Sequence, residues 1–151
     1  MDDILAKNIM SKNVVTVSED TNISELSKIL LENKISGVPV IDKEGRIKGI
    51  VTEADILKDN IKIQFPFYFD PLMGTGYAVD FEKYRTEARE YLQIEVREIM
   101  TKRVKTVMVD TPVNKIAEIL SSSNINRIPV VDSENKVVGI ITRADIIKSM
   151  F

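Results

Sequence analysis

The chain contains one unit twice. Shifted by 90 residues, positions 9–58 align with 99–148 without a gap, and 22 of those 50 positions are identical. Ile9-Met10-Ser11-Lys12 returns as Ile99-Met100-Thr101-Lys102, and Pro39-Val40-Ile41-Asp42 as Pro129-Val130-Val131-Asp132. Such self-similarity constrains the fold before any local pattern does, because both copies must take the same order of elements. The expected organisation is a first repeat over 1–58, a connector over 59–98 and a second repeat over 99–151.

Each copy reads as β-α-β-β-α. A short strand is expected over Val14–Val17 and again over Val104–Val107. Thr21 is the expected helix cap in the first copy, with Ile23, Leu26 and Leu30 at helical spacing behind it. In the second, Thr111 is the expected cap, Pro112 the first helical residue, and Val113, Ile116, Ala117 and Leu120 the apolar stripe. A hairpin follows, with strands over Val38–Asp42 and Arg46–Val51, turning at Gly45 in one copy and Asn135 in the other. Gly and Asn adopt positive φ most readily. A last helix begins after Thr52 and after Thr142. One unit of about fifty residues buries too little of its apolar strand face, so two packed with pseudo-two-fold symmetry are expected.

Composition removes most chemistry. The 151 residues include no Cys and no His. That excludes thiol nucleophiles, Ser-His-Asp and Cys-His arrangements, the usual zinc ligand sets and disulfides. Acids and bases are interspersed with a formal net charge of −2, so no nucleic-acid partner is expected. No apolar run is long enough to cross a bilayer, and the acidic start carries no signal-peptide pattern, so a cytoplasmic protein without a membrane partner is expected.

The segments Gly49-Ile50-Val51-Thr52-Glu53-Ala54-Asp55 and Gly139-Ile140-Ile141-Thr142-Arg143-Ala144-Asp145 each follow a Pro-Val-(Ile/Val)-Asp strand. Both stand some forty residues after an Ile-Met-(Ser/Thr) start. Twice over and in this order, they resemble the CBS domain, named after cystathionine beta-synthase, and the pair resembles a Bateman module. The resemblance implies an α/β (α+β) fold of two β-α-β-β-α repeats with a loop-plus-helix insert between them. It also implies a regulatory, non-catalytic module that binds AMP, ADP, ATP, S-adenosylmethionine or a similar adenosine-containing ligand in clefts between the repeats, with magnesium where phosphates are present. No tightly bound cofactor and no metal site are expected.

Residue by residue, the resemblance gives Asp55 and Asp145 the ribose hydroxyls, and Thr52 and Thr142 the ribose or phosphate. Thr16 and Val38, with Thr106 and Ile128 in the copy, match the positions that hold the adenine. Arg127 matches a basic position that contacts phosphate in some members. The chemistry is consistent with these roles. A vicinal diol offers two donors to an ionised carboxylate, a guanidinium suits phosphate, and a helix start favours anions.

Plainer readings stand beside these. Thr-x-x-Asp also spells a near capping box. Pro39 and Pro129 read as strand markers, and Arg127 also reads as a solvated surface cation. The first repeat has Gly37 where the copy has Arg127, so the two clefts are expected to differ. Gly74-Thr75-Gly76 lacks the Lys and the strand-to-helix context of a phosphate loop. Eight of the nine aromatic residues lie between Phe65 and Tyr91. Residues 64–73 read as irregular or extended, and Asp80 as the cap of a helix with Phe81, Tyr84, Ala88 and Tyr91 on one face. That connector reads as an arm packed on its own module, a surface for another subunit or protein, or a stacking surface for the ligand. A homodimer is expected, with output through an unidentified effector protein. The alternative is a protein–protein adaptor that uses the aromatic connector and binds no nucleotide.

Overall fold

The computed structural model describes residues 3–59, 69–70, 75–76 and 81–151. In chain order its elements are α1 (Ala6–Ile9), β1 (Val17–Ser18), α2 (Ile23–Asn33), β2 (Gly37–Ile41), β3 (Ile47–Thr52) and α3 (Glu53–Asp59). Then come β4 (Phe69–Asp70), β5 (Thr75–Gly76), α4 (Phe81–Leu92), β6 (Val107–Met108), α5 (Val113–Ser122), β7 (Arg127–Val131), β8 (Val137–Thr142) and α6 (Arg143–Lys148). Two three-stranded sheets, β1-β2-β3 and β6-β7-β8, repeat the expected β-α-β-β-α order.

The chain forms two compact units. The first comprises Met1–Glu19, Val38–Ile50 and Thr101–Phe151. Its core gathers Ala6, Val107, Ile116, Leu120, Ile128, Val130, Ile141 and Ile146. The α5 stripe lies here as expected, with Ile116 and Leu120 buried and Val113 and Ala117 half-buried against the core. The second unit comprises Asp20–Gly37 and Val51–Met100. There α2 packs against α3 and α4. Its buried residues include Ile23, Leu26 and Leu30 of α2 together with Val51, Tyr91 and Val96.

Two details differ from the sequence expectation. The leading strands are shorter, since only Val17–Ser18 and Val107–Met108 are paired. The parallel ladders begin at Val17↔Val40 and Val107↔Val130. One step back along each register, Thr16 meets Pro39 and Thr106 meets Pro129, and proline has no N–H to extend a ladder. The helix caps also move one residue. Asn22 caps α2, its side chain accepting from Glu25 N–H at 2.8 Å, and Pro112 is the N-cap residue of α5. Thr111 instead uses its hydroxyl oxygen to accept Met108 N–H at 3.0 Å.

The duplication governs the connecting backbone as well. Ser11 and Ile140 exchange both N–H···O bonds at 3.0 Å, and Thr101 and Ile50 exchange theirs at 2.9 and 3.0 Å. These four residues are related by the 90-residue shift, and Arg46 and Lys136, which form a bridge, map onto each other. Within the first unit the pairing is thus self-reciprocal, as a two-fold relation demands. Segments leading into each repeat follow the same rule. In the first unit, Ala6 N–H donates to Thr111 C=O at 2.8 Å and Val113 N–H to Ile4 C=O at 2.8 Å. In the second, Val96 N–H donates to Thr21 C=O at 2.8 Å and Ile23 N–H to Ile94 C=O at 3.0 Å. Each helix start is therefore held by the segment that leads into the other repeat.

In the connector, Phe69–Asp70 pairs antiparallel with Thr75–Gly76. Thr75–Gly76 is therefore strand, not phosphate loop. The rest of the irregular stretch expected over 64–73, and the Asp80 cap, lie outside the described residues. The expected helix is present as α4. Ala88 is half-buried in it and Tyr91 buried.

Candidate functional site

Both Thr-x-x-Asp motifs sit where a strand runs straight into a helix. Thr142 ends β8 and caps α6. Asp145 Oδ2 accepts Thr142 N–H at 2.8 Å and Thr142 Oγ1–H at 2.9 Å, and Asp145 N–H donates back to Thr142 Oγ1 at 3.4 Å. Thr52 and Asp55 repeat the arrangement, with Oδ2 accepting from Thr52 N–H at 2.9 Å and from Oγ1–H at 3.2 Å. The capping reading is therefore realised in both copies.

The cap uses half of each carboxylate. An ionised carboxylate has about four lone-pair sites, two per oxygen. The two bonds to Thr142 fill those of Oδ2. Oδ1 of Asp145, and likewise Oδ1 of Asp55, has no hydrogen-bond partner among the described residues. Both aspartates are half-buried. One aspartate can thus hold its helix and still accept two hydroxyl donors. The carboxylate itself occupies the helix start, and α3 and α6 span only 7 and 6 residues, so little dipole remains there for a second anion.

In the second repeat the other expected residues gather at the same end of the sheet. Arg127 opens β7 directly opposite Thr142 at the end of β8. Cross-strand partners of this kind have Cβ atoms roughly 5 Å apart. Thr106 lies just before β6, at the position where Pro129 stops the ladder. Asn126 C=O accepts Arg143 N–H at 3.2 Å. Bonded positions alternate along an antiparallel pair. Ile128 therefore directs its backbone to β8, whereas the backbone N–H and C=O of Arg127 face the Thr106 side. The Ile128 side chain is fully buried in the core, so it forms the wall behind this end of the sheet.

The first-repeat residues are placed in the same local settings. Thr16 is half-buried just before β1, and Val38 is fully buried in β2. Thr52 and Asp55 lie in the second compact unit. Gly37 opens β2 where Arg127 opens β7, so this copy has no guanidinium at that position.

Arg143 is a residue the sequence reading left without a role. Its Nε donates to Ile125 C=O at 3.0 Å, just beyond α5, and its Nη2 to Leu120 C=O at 3.2 Å, in the last turn of α5. It thereby ties α5 to the first turn of α6, which bears Asp145. The available signal was a cation where the first copy has Glu53.

Among the described residues no group of three or more acidic side chains could hold a metal ion, and no helix is long and apolar enough to cross a membrane. The family model of the CBS domain matches residues 6–61 and 96–151. The uncharacterized protein MJ1426 of Methanocaldococcus jannaschii is 33% identical over 154 residues, covering 97% of this chain and 91% of that protein. The L-aspartate semialdehyde sulfurtransferase of the same organism is 32% identical across 94% of this chain, which spans only 22% of that enzyme. Among solved structures, the CBS domain pair of protein MJ0100 in complex with 5′-methylthioadenosine and S-adenosyl-L-methionine superposes with a TM-score of 0.72 at 31% identity, covering 98% of this chain and 96% of that one.

Proposed function

The chain belongs to the CBS-domain family, and from that premise we propose that it is a regulatory module that senses an adenosine-containing ligand and catalyses no reaction itself. The observation that carries this reading is the uncommitted Oδ1 of Asp145, beside Thr142 and across the strand pair from Arg127. In this reading Oδ1 accepts the two ribose hydroxyls, Thr142 contacts the ribose or phosphate, and Arg127 meets a phosphate or carboxylate. Thr106 and the β7 backbone meet the base, with Ile128 as the wall behind them. The CBS pair of MJ0100 supports adenosyl ligands as the class to test first. In the first repeat Thr52 and Asp55 play the corresponding parts. Gly37 in place of Arg127 predicts a weaker preference for charged ligands there.

We further propose a cytoplasmic homodimer whose repeats, 1–58 and 99–151, are the units that respond to ligand, with 59–98 connecting them. Leu57 of α3 and Ile147 of α6 occupy equivalent positions 90 residues apart and are 63% and 56% exposed. Exposed apolar side chains at matched positions suit a symmetric interface.

Calorimetric titration with 5′-methylthioadenosine, S-adenosylmethionine, AMP and ATP, with and without magnesium, tests the assignment. Saturable binding that Asp145→Asn or Asp55→Asn weakens supports it. A folded protein that binds none of them leaves the adaptor reading in its place.

A further inference from the structure

Tyr91 lies in the last turn of α4, only 8% exposed, and its hydroxyl donates to the Ile56 carbonyl of α3. Ile56 lies in the C-terminal half of α3 (Glu53–Asp59). The equivalent carbonyl in the second repeat, Ile146, is satisfied locally. There Ser149 donates its N–H at 3.1 Å and its hydroxyl at 2.6 Å. The first repeat has Asp59 where the second has Ser149. In the first repeat a hydroxyl from 35 residues along the chain donates to the equivalent carbonyl.

The residues just after Tyr91 hold the other helix of that repeat. Ile94 accepts from Ile23 N–H at 3.0 Å, Val96 donates to Thr21 C=O at 2.8 Å, and the Val96 side chain is fully buried. The end of the connector therefore grips α2 by its start and α3 by its last turn.

We propose that Tyr91 is a positioning residue for the Thr52–Asp55 pair, so that displacement of α4 is felt at Asp55 and not at Asp145. Asp55 immediately precedes Ile56, and the bond to that carbonyl fixes the turn that presents Asp55 Oδ1. This makes α4 a line of communication between the first-repeat site and whatever the connector meets. The inference rests on reading Asp55 as a ligand contact.

The test uses the full chain. Tyr91→Phe keeps the ring and removes only the donor, and Asp59→Ser added to it supplies the local donor that Ser149 provides in the copy. Amide hydrogen exchange without ligand is expected to rise in residues 53–59 and stay constant in 143–148, with Asp59→Ser restoring it. Titration with 5′-methylthioadenosine and S-adenosylmethionine is run in two backgrounds. With Asp145→Asn, where only the first pair reports, Tyr91→Phe is expected to weaken binding roughly 2- to 30-fold. With Asp55→Asn it is expected to leave affinity unchanged. Unchanged exchange in 53–59, or equal losses in both backgrounds, overturns the proposal. If the wild type binds neither probe, the ligand reading falls, and the exchange comparison with its Asp59→Ser rescue still decides whether Tyr91 fixes α3.

Discussion

Asp145 caps its helix with one carboxylate oxygen and leaves the other uncommitted. Its Oδ2 closes the capping box and its Oδ1 stays available. The motif was legible because Thr-x-x-Asp is local, and spacing alone puts the aspartate at the third helical position. The division of labour between its two oxygens was not legible, since it depends on the side-chain rotamer. The α2 cap shows the opposite case. Thr21 and Asn22 are both good capping types, and the choice between them follows from Val96, which takes the Thr21 carbonyl from elsewhere in the chain. Asn22→Ala is expected to cost about 1 kcal/mol in urea unfolding. A variant as stable as the parent would contradict the assignment.

At the scale of elements, the two hairpins were the most legible parts of the fold. Gly45 at φ 84° and Asn135 at φ 64° occupy the turn positions that their residue types favour. Asp42 braces the first turn, its Oδ1 accepting N–H bonds of 2.9 Å from both Glu44 and Arg46. Partial desolvation pushes the Asp42 carboxyl up, but those two N–H groups and the charges of Arg46 and Lys48 outweigh it and hold it below the usual carboxylate range. A carboxyl that is more acidic folded than unfolded stabilises the fold above its unfolded value, and that stability is lost as pH falls through the folded value. Chemical unfolding of the wild type below about pH 4 should therefore show a steeper loss than Asp42→Asn, which keeps an acceptor and cannot titrate. The shortened β1 and β6 were less legible, because the effect of Pro39 and Pro129 appears only once the parallel register is known. In β8, a Cβ on Gly139 would sit 2.5 Å from Met10 Sδ, 2.9 Å from its Cγ and 3.1 Å from its Cβ. Gly139→Ala should destabilise by roughly 1–3 kcal/mol, and a neutral result in thermal unfolding would show that Met10 yields freely.

For the whole molecule, the repeat predicted two copies of one fold. It did not predict that the segment leading into each repeat docks on the helix of the other. Nothing in Ile4-Leu5-Ala6 announces a partner at Thr111 and Val113, because backbone hydrogen bonds carry no residue signature. Removing residues 1–8 deletes the donors to Thr111 and Val109 C=O, the acceptor for Val113 N–H and the fully buried Ala6. At about 1 kcal/mol for each bond, a loss of roughly 3 kcal/mol is expected, read as a lower urea midpoint. A truncated chain as stable as the parent would show that this docking does little.

The central claim is that Asp145 is a ligand acceptor as well as a cap, and Asp145→Asn separates the two. The amide oxygen can still take both bonds from Thr142, while the other arm becomes a donor that cannot accept a ribose hydroxyl. Thermal unfolding of both proteins, with and without S-adenosylmethionine or 5′-methylthioadenosine, reads the difference directly. A ligand at 100 times its dissociation constant should add roughly 2.7 kcal/mol to the wild type. The expected result is near-equal stability without ligand, and stabilisation in the variant limited to what the first repeat contributes. Equal stabilisation of both proteins would contradict the claim and leave Asp145 as a helix cap.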